Sequence, residues 1–429
     1  MDAGALRPGV RSREVFAWAM YDFANSGYTT VVITAVFAAY FVGGVAGNAP
    51  WATFAWTAAL SVSYAIVMIT SPALGAYADR HACKKRLLML TTLGCVLSTA
   101  AMMSVGPGTV ALAMLLVIIS NAFFSWGESL AAAFLPELAQ PQAMGRVSGW
   151  GWGWGYAGGM LALGLSLAYV LHAQARGVSA DDFVPVTLLI TAVVYGGASL
   201  VTFAWLRERA VPFSSAALAG ATASHGWKQL ALTLKKLQAY PDFRWLLACA
   251  VFYQGGVAVA ITLAAIYAEA VIGFEKQETM VMIFVLNIAA ALGALAWGYL
   301  QDRVGHKLAL ASTLVGWIAT CVIAALARDK GDFWWAASIA GLCMGSSQSA
   351  GRAMAGLFAP PRQAAEFFGL WTFATRLSAI LGPLAYGAIT WATAGNQRIA
   401  IACTTVLFVA GLMTLWRVDV ARGQAAAQR

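Results

Sequence analysis

Asp22, Asn25 and Ser26 stand at i, i+3 and i+4 within an apolar stretch, so a helix places all three on one face, close to Tyr21 and Tyr28. Asn121, Ser125 and Glu128 repeat the pattern at i, i+4 and i+7; Gln348 and Arg352 do so at i and i+4. Tyr253, Gln254, Asn287 and Arg376 are further polar residues among apolar neighbours. A carboxyl in such a setting binds and releases protons or holds an amine, and a guanidinium grips a carboxylate through two parallel hydrogen bonds. For Asp22 the alternative is a structural hydrogen-bond node, and for Glu128 a permanent ion pair.

Other chemistries find little support. His81 and His306 sit in loops, and His172 and His225 are isolated, so none has a Cys or acid partner at metal-ligand spacing. The six cysteines are scattered and read as small apolar fillers. No catalytic, metal or cofactor constellation is expected. The glycine run 145–159 lies inside an apolar stretch and lacks the G-K-[ST] of a phosphate loop. Gly145, Gly149 and Gly153 form one stripe, and Gly151, Gly155 and Gly159 a nearly opposite one. Spacing of four permits close helix packing in a membrane.

The elements that must position these residues follow from composition. Of 429 residues, 60% are apolar and 10% charged, against about 25% charged in soluble domains. The pattern predicts an all-α integral membrane protein with twelve spans, from 16–42 to 396–417. The one long hydrophilic connection, 207–242, separates two six-helix bundles at 1–206 and 243–429. Within it, Trp227 to Tyr240 is amphipathic and basic and reads best as a helix on the inner membrane surface, with a calmodulin-type partner site as the weaker alternative.

The net charge of +9 is distributed among the loops, which argues against a nucleic-acid surface. Twenty of the 27 Lys and Arg fall in loops on one side, five on the other, and Arg352 and Arg376 lie inside spans. That bias places both termini in the cytoplasm. The loop after span two, Gly75-x-x-x-Asp79-Arg80-x-x-x-Lys84, recurs after span eight as Gly298-x-x-x-Asp302-Arg303-x-x-x-Lys307, offset by 223 residues. The chain is therefore duplicated, both halves having the same orientation.

The doubled loop resembles the signature loop of the major facilitator superfamily. A narrower resemblance lies in the first 160 residues: Trp18-Ala-Met-Tyr-Asp-Phe-Ala-Asn-Ser26, Ala133-Phe-Leu-Pro-Glu137, Gly145-Arg-Val-Ser-Gly149 and Gly155-Tyr-Ala-Gly-Gly159. These are similar to motifs of the vacuole-effluxer-like family, which includes the fungal autophagy-related vacuolar amino-acid exporter and bacterial members. The resemblance implies a monomeric inner-membrane secondary transporter in the lipid bilayer. Its expected cargo is a small-molecule solute, amino acids first, and its expected coupling ion the proton. Uptake, another solute (peptide, sugar derivative or drug) and a non-transporting sensor are the alternatives.

The resemblance also implies that spans one, four, seven and ten line a central cavity. Asp22, Asn25, Tyr28, Asn121, Glu128, Tyr253, Gln254, Gln348 and Arg352 then face it, with Glu128 the leading proton carrier. The repeat offset sets Glu128 across from Arg352, while Arg376 is expected to pair with an acid such as Asp22. The signature loops, with Gly75, Asp79, Arg80, Lys84, Asp302, Arg303 and Lys307, are expected to latch the bundles together. Asp79 would cap a facing helix, and Arg80 would pair with Glu137. The counterpart of Glu137 is Pro360, and His81-Ala82 replaces the usual glycine-containing turn, so the two loops need not latch equally.

Overall fold

In the computed structural model, which describes residues 3–213, 231 and 235–428, twelve long helices build two bundles. The first bundle holds α1 (Ser12–Val45), α2 (Ala52–His81), α3 (Lys84–Ser104), α4 (Val110–Leu138), α5 (Pro141–Ala175) and α6 (Ala180–Trp205). The second holds α7 (Pro241–Ile272), α8 (Glu278–Val304), α9 (His306–Leu326), α10 (Lys330–Phe358), α11 (Pro361–Ala392) and α12 (Gln397–Trp416). A short helix α13 (Val420–Ala427) follows. Eleven of the twelve are long and apolar enough to cross a membrane. The exception, α10, has 29 residues and is diluted by Lys330, Asp332, Arg352 and several Gly and Ser.

The hydrophobic rule of a soluble protein is inverted on the outside of the bundles. Leu90, Leu97, Leu200, Leu326 and Met413 lie more than half exposed, as lipid-facing side chains do. The bundle interiors carry Trp18, Tyr28, Trp317 and Phe408, with Trp317 stacked on Phe408. Helix α1 is not regular: Thr29–Ala35 and Phe41–Val45 are π-helical, immediately beyond its polar face. Such wide turns recur at functional sites because they reaim side chains.

Both signature loops and both termini share one face, here the loop face. Leu6 bridges to Ala139, and Arg422 in α13 binds Asp242 at the start of α7. The basic stretch 227–240 falls outside the described residues except for Ala231 and its last turns, where Leu237–Ala239 forms a 3-10 turn.

Candidate substrate pathway

Two ion pairs join the bundles through their centre, and their partners are crossed relative to expectation. Arg352 Nη1 on α10 donates to Asp22 Oδ2 on α1 at 2.6 Å, and Arg376 on α11 pairs with Glu128 on α4. The repeat offset had set Arg352 against Glu128. Helix direction explains the exchange, because a helical side chain leans toward its own N-terminus. On α1 and α11, which leave the loop face, Asp22 and Arg376 lean back toward it. On α4 and α10, which approach the loop face, Glu128 and Arg352 lean away from it. Each acid therefore meets the base leaning toward it.

The two pairs differ in setting. Asp22 and Arg352 are buried. Arg352 Nε donates to Ser148 Oγ at 3.1 Å and Nη2 to the Ser148 carbonyl at 2.8 Å. Its guanidinium lies 4.8 Å from the Trp18 ring centre and 5.3 Å from that of Trp152. Gly151 makes room, since a Cβ there would meet both the Asp22 carboxylate and the Arg352 guanidinium. The Glu128 side chain, by contrast, is 38% exposed, and Arg376 lies over the Tyr64 ring with its Nε–H unpartnered.

The remaining predicted residues divide. Gln254 Nε2 donates to Gln348 Oε1 at 2.7 Å and to the Tyr253 hydroxyl at 3.2 Å, so α7 and α10 share a polar cluster. Tyr28 bonds Ser120, and Asn121 donates to Ser63, both within the first bundle. The Ser26 hydroxyl donates to the Asp22 carbonyl, and its carbonyl accepts from Thr29 and Thr30 across the π-helical step. Asn25 is buried beside Ser26. Asn287 donates to the Ile283 carbonyl of its own helix. Ser148, Trp152 and Tyr64 were not singled out from the sequence as site residues. Ser148 lay in the quoted Gly145–Gly149 motif, which was the available signal.

At the loop face, Asp79 accepts from the Ala365 and Glu366 amides at the first turn of the α11 helix, at 3.1 and 2.8 Å. Asp302 does the same for Gly145 and Arg146 in α5, at 2.9 and 3.3 Å, and also binds Arg146 Nε at 2.8 Å. Each carboxylate thus meets the positive end of a helix in the other bundle. Gly75 has no room for a side chain beside the Ala365 carbonyl. Glu137 pairs with Lys84, not Arg80: the Lys84 side chain is fully buried over Phe134, which directs its ammonium to that acid. The Arg80 carbonyl accepts from the Phe213 amide, and Arg303 is exposed. Lys307 reaches the Trp416 and Val418 carbonyls, both at 2.8 Å.

The two glycine stripes of α5 face opposite bundles. Gly145, Gly149 and Gly153 meet Gly298, Ala294 and Leu295 of α8; Gly151, Gly155 and Gly159 meet Asp22, Ser26 and Thr30 of α1. Among the described residues, hydrogen bonds between the bundles fall between the loop face and the level of Arg376. Polar contacts thus hold the bundles together at and below the level of Arg376, on the loop-face side.

A sequence profile of the family described as vacuole effluxer Atg22-like matches residues 42–428, nearly the whole chain. The chain belongs to this family. An MFS-type transporter of Bacillus subtilis, YxiO, is 28% identical over 406 residues, covering 93% of each chain. Autophagy-related protein 22-1 of Penicillium rubens is 24% identical over 216 residues, 47% of this chain and 36% of that protein. Among solved structures, the human organic anion transporter MFSD10 superposes with a TM-score of 0.73 at 15% identity, over 94% of this chain and 99% of that one. The transporter FucP in its outward conformation gives 0.69 at 15% identity, over 95% and 98%. This Atg22-like chain is a multi-pass membrane transporter with the twelve-helix major facilitator fold, and not an enzyme.

Proposed function

We propose that this Atg22-like transporter works by alternating access and carries amino acids or similar zwitterions out of the cytoplasm, linked to protons, with its loop face cytoplasmic. The observation that carries this reading is the Glu128–Arg376 pair. It joins the two bundles at the level farthest from the loop face among these polar contacts, and the Glu128 side chain is 38% exposed. One carboxylate beside one guanidinium complements a zwitterion, whose ammonium binds Glu128 and whose carboxylate binds Arg376. The unpartnered Arg376 Nε–H is the spare donor such a ligand would take. Protonation of Glu128 neutralises its hold on Arg376, so proton uptake and solute binding act on the same bond between the bundles. Asp22–Arg352, shielded by two tryptophans, serves as the barrier between this site and the loop face. The excess of Lys and Arg in the loops of that face supports its cytoplasmic assignment to the plasma membrane. The family description as effluxers supports the direction.

The test is flux of a radiolabelled amino-acid mixture from proteoliposomes, with and without a pH gradient. Wild type should respond to the gradient. Glu128→Gln should keep solute exchange and lose that response. A mixture that does not move at all overturns the substrate class; a variant that still responds overturns the role of Glu128.

A further inference from the structure

Helices α2 and α11 run antiparallel and keep a constant register. Gly75 meets Ala365, Ser71 meets Gly369, and Tyr64 lies beneath the Arg376 guanidinium. Each step back along α2 is matched by an equal step forward along α11. Beyond Tyr64 the same side of α2 becomes exposed, at Ser61, Thr57 and Thr53. Continued at the same register, Thr57 falls opposite Pro383, Phe54 opposite Tyr386, and Thr53 opposite Gly387.

Those positions hold complementary features. On α2, Thr53, Phe54 and Thr57 are exposed, Phe54 at 75%. On helical geometry they continue the face that carries Gly75, Ser71 and Tyr64. On α11, Pro383, Gly387 and Thr390 continue the face of Ala365, Gly369 and Arg376. Together with Leu263 and Ile266 of α7 and with Tyr386, they line a cavity of about 670 Å³. A Cβ on Gly387 would meet nothing within 4 Å. The Tyr386 hydroxyl is buried and has no hydrogen-bond partner among the described residues.

We infer that this cavity is the receptor for the far end of α2: when the loop face opens, Phe54 seats between α7 and α11 and seals the far face. The inference rests on the alternating-access reading. It brings together three features that the register sets opposite one another: the exposed Phe54 ring, the apolar cavity between α7 and α11, and the buried Tyr386 hydroxyl, which has no hydrogen-bond partner among the described residues. The inner contacts of α2 with α11 and the outer ones then form a seesaw about Tyr64 and Arg376.

The test is register-specific cross-linking in the full-length protein in membranes. Thr53→Cys/Gly387→Cys is compared with Thr53→Cys/Ile380→Cys, two turns out of register, and with each single variant. Linked peptides are read by mass spectrometry without added solute, so a wrong substrate class leaves the result intact. The in-register pair should link with a yield about tenfold above the shifted pair, because a disulfide needs Cα atoms within about 7 Å. Adding Asp79→Asn, which weakens the loop-face contact, should raise that yield. Reduction should restore whatever transport the oxidised form has lost. Equal linking of both pairs, or none in the in-register pair even with Asp79→Asn, overturns the inference.

Discussion

The two signature loops began as one sequence and now perform the same task with different supports. Asp79 and Asp302 each cap the first turn of a helix in the opposite bundle. Behind Asp302 stands Arg146, a base on the capped helix itself. Behind Asp79 stands Glu366, an acid at the equivalent place, which is paired with Lys236 at the end of the interbundle connection. The turns differ as well. Gly305 takes a φ of 96°, and Ala82, its counterpart, takes 49°, where a Cβ is strained. The lysines have also diverged: Lys84 neutralises Glu137 inside its own bundle, and Lys307 pins the chain leading into α13. A repeated motif thus preserves the cap and leaves its strength to the neighbours. The second latch is reinforced by its own target, whereas the first is balanced by a residue from a connecting segment.

That asymmetry can be broken in order of expected size. Asp302→Ala removes two caps and the Asp302–Arg146 ion pair; it should favour the loop-face-open state by about 3 kcal/mol, roughly 100-fold. The readout is the distance between spin labels on the exposed His81 and Arg303, one on each bundle. Asp79→Ala removes two caps but no direct ion pair of the kind Asp302 makes with Arg146, and should shift the same distance distribution by about 2 kcal/mol. An equal or larger effect from Asp79 would contradict the ranking of the latches. Ala82→Gly should relieve the left-handed strain and raise the thermal midpoint, by about 1 kcal/mol of stability. Lys236→Gln should loosen only the first latch, by about 0.5 kcal/mol, because this lysine is 45% exposed. High salt should mimic that variant and leave the buried Asp302 contacts nearly unchanged.

The membrane helices were legible because each must satisfy its backbone internally and show apolar side chains to lipid, a constraint strong enough to read one span at a time. Even α10, diluted by polar residues, was read as a span from its own apolar stretch. The capping role of Asp79 was also legible, since a carboxylate in that loop has one natural partner at a neighbouring helix start. What escaped was pairing across bundles. Glu128 with Arg376 and Asp22 with Arg352 depend on which way each helix runs and how its side chains lean, and the repeat offset carries no such information. Lys84 was passed over for Arg80 because burial beneath Phe134 is a tertiary fact. Ser148 was missed as a ligand of Arg352 because half of its contribution is a backbone carbonyl, which any residue supplies.

Helix α5 is bare on two sides, its glycines laid against α8 of one bundle and α1 of its own. Interlocked side chains would act as teeth, and turning one bundle against the other would require rotamers to jump. At Gly145 and Gly149 the bundles meet nearly backbone to backbone, against Gly298 and Ala294, while the Leu295 side chain seats against Gly153. Mechanically, α5 is a plain bearing: it holds the axle close while resisting rotation little. A single methyl group on the α8-facing side would work as grit, lifting the bundles apart along one edge and tilting the whole stroke.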